Sequence, residues 1–74
     1  MELRKVFAQN LRRLRKQREL SQEELADEAG IDRTYVSSLE RGVYNATIPM
    51  IEKLAKALKV EPAALLERVP KARR

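Results

Sequence analysis

The sequence predicts an all-α fold: five short helices packed into one compact domain. Three observations predict it. Apolar residues recur at helical spacing, as in Leu3, Phe7, Leu11 and Leu14, which follow one another by four, four and three positions. Helix-starting residues (Ser21, Asp32, Thr47) and helix-ending glycines (Gly30, Gly42) punctuate those apolar runs. No segment reads as a credible strand.

The first helix is expected from Leu3 to Arg18, with the apolar stripe inward and basic residues over most of the rest. Ser21 is a good N-cap, and Glu24 three residues later completes a capping box. The second helix then runs from Gln22 to Ala29, with Leu25, Ala26 and Ala29 as its inner face. Gly30 follows, where a left-handed residue would close the helix. Ile31 plugs the turn, and Asp32 caps a third helix from Arg33 to about Arg41, with Val36 and Leu39 inward. Gly42 closes that helix in the same way, and residues 43–46 form a loop. Thr47 caps the fourth helix and Pro49 lies in its first turn, where a missing N–H costs nothing. Ile51, Leu54, Ala55 and Leu58 are its expected buried face. Glu61 and Pro62 open a short fifth helix carrying Leu65, Leu66 and Val69, which Pro70 ends. One domain over residues 1–70 and a basic tail over 71–74 account for the chain.

The composition narrows what such a domain does. With neither cysteine nor histidine, the chain has no disulfide, no thiolate metal site and none of the usual nucleophile–base pairs. No metal, cofactor or small-molecule ligand is expected. The carboxylates that do cluster, Glu23, Glu24, Asp27 and Glu28, lie on one exposed helix with no apolar pocket to raise a pKa, which argues against an enzyme. No apolar run is long enough to span a bilayer and no signal peptide is visible, so a cytoplasmic protein is expected. The net charge is +5, and it is segregated. Residues 1–18 carry +6 and residues 19–40 carry −6, with Arg33 the single base of that acidic stretch. A basic chain points to nucleic acid, an anionic membrane surface or solubility alone. The membrane reading is weak, because the apolar stripe of the first helix is needed inside the domain.

Residues 22–41 carry the most information. They read as a helix, a tight turn and a second helix, with Ala26 small enough for a close crossing and Gly30 at the bend. That is a helix-turn-helix, whose second helix stands clear of the domain and fits a major groove. The competing reading is an ordinary corner between two helices. Against it stand the exposed residues expected on the third helix: Arg33, Thr34, Tyr35, Ser37, Ser38 and Arg41 all donate hydrogen bonds and none is acidic. A solvated helix usually mixes Glu and Lys; a face turned to phosphates avoids carboxylate.

Three stretches carry a family resemblance: Ser21-Gln22-Glu23-Glu24-Leu25-Ala26-Asp27-Glu28-Ala29-Gly30-Ile31, Val36-Ser37-Ser38-Leu39-Glu40-Arg41-Gly42 and Leu54-Ala55-Lys56-Ala57-Leu58. Together the chain resembles the phage Cro/repressor (XRE) helix-turn-helix regulators over roughly residues 7–66. Asp32-Arg33-Thr34-Tyr35-Val36-Ser37 is also similar to the controller proteins of restriction–modification systems. The resemblance implies a lambda-repressor-like domain that binds double-stranded DNA and regulates transcription; no effector domain is visible in the sequence, so repression by blocking polymerase and activation by touching it are both open.

On that footing Arg33 is the first candidate for base readout, since it stands in the first turn of the helix that enters the groove. Its guanidinium matches guanine O6 and N7. Thr34 offers a methyl to thymine or a hydroxyl to phosphate, and Ser37 and Ser38 are short donors that permit close approach. Two roles are open to Tyr35: its ring packs on the domain, or its hydroxyl reaches a phosphate. The resemblance implies that Gln22, at a helix N-terminus, holds a phosphate. It implies further backbone contacts at Arg41, Asn45 and Thr47. Many controllers carry a basic residue where this chain has Tyr44, which makes Asn45 the better candidate there. It also implies an ion pair between Arg15 and Glu40 with a structural role.

Such regulators act as homodimers on palindromic operators, with half-sites about one helical turn apart. Leu65, Leu66 and Val69 are more apolar than one short helix needs for docking, and they are the expected dimer seam. A competing function on the same fold is an antitoxin-like module that chiefly binds another protein.

Overall fold

A computed structural model describes residues 2–68 of the chain. Among them are five helices and no strand: α1 (Leu3–Gln17), α2 (Gln22–Ala29), α3 (Arg33–Glu40), α4 (Ile48–Leu58) and α5 (Pro62–Leu66). The expected positions of Val69, Pro70 and the basic tail lie outside the described residues.

Helices α2, α3 and α4 begin where their capping chemistry dictates. Ser21 Oγ accepts from Glu24 N at 3.0 Å while Glu24 Oε1 accepts from Ser21 N at 2.8 Å, so the capping box is complete. Asp32 Oδ1 accepts from Thr34 N at 3.0 Å, and Thr47 Oγ1 accepts from Met50 N at 3.2 Å. The helix ends share one device. After each of α1 to α4 stands a residue with positive φ: Glu19 at 58°, Gly30 at 72°, Gly42 at 73° and Lys59 at 61°. The next N–H then reaches back five residues: Leu20 to Arg15 O, Ile31 to Ala26 O, Val43 to Ser38 O and Val60 to Ala55 O. The two glycines were legible as helix ends. Glu19 and Lys59 were not, because neither residue type announces a left-handed backbone.

One core joins all five helices. Leu11, Leu25, Val36, Leu39, Leu54 and Leu65 are each 0% exposed. Helix α3 packs against α1 and α2, α4 against α2 and α5, and α5 against α1. Because α1 meets neighbours on two sides, its buried arc is wider than the single stripe read from sequence: Val6, Ala8 and Asn10 are buried as well. Leu3, expected inward, is 51% exposed and lines an open groove beside Leu66 of α5. The bounds also shift slightly. Arg18 and Arg41 are C-caps rather than helical residues.

Candidate nucleic-acid interface

The interface candidate is built on α3, which is tied down at both ends and open along one side. At its start, the Asp32 carboxylate is taken by the helix backbone. At its end, Glu40 turns inward and is half-buried. Its Oε2 accepts from Arg15 Nε at 2.6 Å, and its Oε1 accepts from Arg15 Nη2 and from Gln22 Nε2, both at 3.1 Å. Arg15 Nη1 also donates to Leu20 O at 2.7 Å. The side chains of Arg15 and Glu40 are 11% and 5% exposed. This knot joins the last turn of α3 to the C-terminal part of α1 and the first residue of α2. Both carboxylates of residues 32–40 are therefore engaged locally, and the outer face of α3 is left to uncharged donors and Arg33.

Arg33 is exposed and makes no hydrogen bond or ion pair among the described residues, the neighbouring Asp32 included. Thr34 is exposed beside it. Ser37 and Ser38 are half-buried, and Ser38 Oγ accepts from Arg41 Nη2 at 3.4 Å, a long contact that leaves the arginine exposed. The candidate base readers Arg33, Thr34, Ser37 and Ser38 thus share the eight-residue α3. Among the candidate phosphate contacts, Arg41, Asn45 and Thr47 are exposed in or beside the α3–α4 loop. Gln22 stands at the start of α2, with its amide held by Glu40.

Tyr35 is half-buried and packs against the core, and its ring meets that of Tyr44 edge to face, centroids 5.2 Å apart at 67°. The packing role of Tyr35 is therefore present. Neither hydroxyl has a hydrogen-bond partner among the described residues, so both remain available. The contact between the rings was missed from sequence, because it joins a helix to a loop across nine positions. Together with Asp32, Thr34 and Ser38 the two rings line an open hollow of about 310 Å³.

The expected seam is corrected at one position. Leu65 is fully buried, because α5 packs against α1 and α4 and Leu65, beside the half-buried Ala64, faces into the core. Leu66 is 37% exposed and lines an open apolar groove of about 280 Å³ with Leu3, Phe7, Tyr44 and Ile51. Val69 lies outside the described residues.

Of the basic residues in and just after α1, Lys5, Arg12 and Lys16 are exposed, while Arg4, Arg13, Arg15 and Arg18 are half-buried, Arg18 by a contact that sequence reasoning missed. Arg18 Nη1 donates to Ala57 O on α4 and lies 3.4 Å from Glu28 Oε1. Asn10, 2% exposed, was also missed. Its position three after Phe7 and four before Leu14 is on the apolar stripe, and that was the available signal. Among the described residues no acidic cluster is arranged to hold a metal, and no helix is long and apolar enough to cross a membrane.

Comparison with known proteins agrees with this geometry. A family model described as helix-turn-helix matches residues 11–65. Control protein C.BamHI of Bacillus amyloliquefaciens is 44% identical over 66 residues, which are 88% of this chain and 82% of that protein. A hypothetical transcription factor of Neisseria meningitidis serogroup B is 49% identical over 65 residues, 88% of this chain and 61% of that protein. The crystal structure of the restriction–modification controller protein C.AhdI from Aeromonas hydrophila superposes with a TM-score of 0.81 at 48% identity, covering 84% of this chain and 94% of that one.

Proposed function

The chain belongs to the helix-turn-helix family of transcriptional regulators and controller proteins and is a DNA-binding regulator rather than an enzyme, and from that premise we propose how it reads its target. Helix α3 enters the major groove. Arg33 grips a guanine edge, and Thr34, Ser37 and Ser38 contact neighbouring bases. Gln22, Arg41, Asn45 and Thr47, with the hydroxyl of Tyr35, hold the phosphates that fix the register. The single observation that carries this reading is the free guanidinium of Arg33 on a helix face whose carboxylates are both engaged elsewhere. An unpaired cation at a helix N-terminus is unfavourable in the monomer and favourable against a base edge.

The active species in this reading is a homodimer on a palindromic operator, with two copies of α3 about one helical turn apart. Leu66 is the centre of its seam, supported by the open apolar groove that it shares with Leu3 and Ile51. The controller-type relatives support a regulator that acts by occupying promoter DNA, by blocking polymerase or touching it. Selection of binding sites from random duplexes tests the proposal. A selected site with two-fold symmetry is expected; indifference to sequence at physiological ionic strength overturns it.

A further inference from the structure

Asn10 is a buried polar residue that the reading of DNA does not use. Its Nδ2 donates to two backbone carbonyls, Leu65 O at 2.9 Å and Glu67 O at 2.7 Å, and its Oδ1 accepts from Arg13 Nη2 at 3.0 Å. Both amide hydrogens and the carbonyl are thus employed, as a side chain so buried requires.

Helix α5 has few other means of holding its shape. It has five residues, its N-cap Glu61 makes no side-chain cap bond, and Glu67 after it is extended at φ −77° and ψ 131°. The left-handed closure that ends α1 to α4 is missing here. One carboxamide from α1 takes the carbonyls at the end of α5 in its place.

We propose that Asn10 is the positioning residue for the subunit seam. By fixing the end of α5 against α1, it commits Leu65 to the core and presents the adjacent Leu66 to the groove beside Leu3. The inference rests on the dimer proposed above. In this arrangement the seam depends on Asn10, while none of the hydrogen bonds of Asn10 goes to α3.

The experiment compares the wild-type chain with Asn10→Ala in three measurements: sedimentation equilibrium, binding to a duplex carrying one half-site, and backbone amide exchange. Two lost bonds from a buried donor weaken the dimer by about tenfold or more. The half-site affinity stays within about twofold, and the amides of Leu66 and Glu67 exchange faster while that of Leu39 is unchanged. Equal dimerisation of variant and wild type overturns the latch, and so does an even loss of protection across all helices. A monomeric wild type instead removes the dimer, and the seam role with it. Where Asn10→Ala does not fold, the wild-type carboxamide is itself the probe. Its hydrogens exchange about tenfold or more slowly than those of exposed Asn45, and equal rates overturn the proposal.

Discussion

Gln22 donates its side-chain amide to Glu40 across 3.1 Å, from the first residue of α2 to the last of α3. The two helices of the motif are thereby joined at the end opposite their turn, and Arg15 grips the same carboxylate from α1. A residue proposed to hold a phosphate also braces α3, so its loss is expected to have two separable effects.

Gln22→Ala is expected to weaken binding to cognate and random duplexes alike, because a phosphate contact carries no sequence information. It also removes one hydrogen bond, which lowers stability by about 0.5–1.5 kcal/mol. Titrations on both duplex types, beside a urea melt, separate the two. A loss confined to the cognate duplex contradicts the assignment.

Arg33→Ala is expected to leave the melting temperature nearly unchanged, since the residue is exposed and has no hydrogen bond or ion pair among the described residues. Discrimination at one base pair should fall by about 1–3 kcal/mol. Competition with single-base-pair variants of the selected site measures it. Equal losses on every duplex refute base readout by this residue.

Arg15→Ala leaves Glu40 nearly buried without its cation and is expected to cost about 3–5 kcal/mol. A chemical denaturation curve gives the number. A loss under about 1 kcal/mol means that the pair behaves as a surface bridge.

Glu19→Gly and Lys59→Gly are expected to stabilise, because each native residue holds a left-handed backbone at a cost of about 1–2 kcal/mol, partly offset by the greater freedom of glycine when unfolded. The reverse change, Gly30→Ala, destabilises although no atom lies within 4 Å of the added methyl. Thermal melts of the three variants should give two signs, and a common sign refutes the account.

Leu66→Glu is expected to leave the helical circular dichroism intact and to shift micromolar protein to the monomer, since the side chain is partly exposed on the proposed seam. Leu65→Ala should instead cost about 2–5 kcal/mol of fold stability as a core truncation. Sedimentation and melting data that fail to separate the two neighbours would place the seam elsewhere.

Most of the fold was legible because it is written in local chemistry. Ser21, Asp32, Thr47, Gly30 and Gly42 act within a few residues of themselves, and each stands where its type predicts. What escaped depends on distant partners. Asn10 meets Leu65 and Glu67 across 55 and 57 positions, and Arg18 meets Ala57 across 39. Leu65 and Leu66 are adjacent and equally apolar, so composition placed both at a seam; only the docking of α5 between α1 and α4 separates them. The candidate base readers were legible as a set for a different reason: a run of donors free of carboxylate is a property of the sequence itself.

The knot at Glu40 has an evolutionary consequence. If α3 reads DNA as proposed, a helix anchored at its first turn and its last is expected to keep its tilt from one promoter to the next. On the proposed reading, new preferences are expected from exchanges at the candidate positions 33, 34, 37 and 38 while the anchors stay. Paralogues with unlike targets can then diverge by few substitutions, at little risk to the shared scaffold.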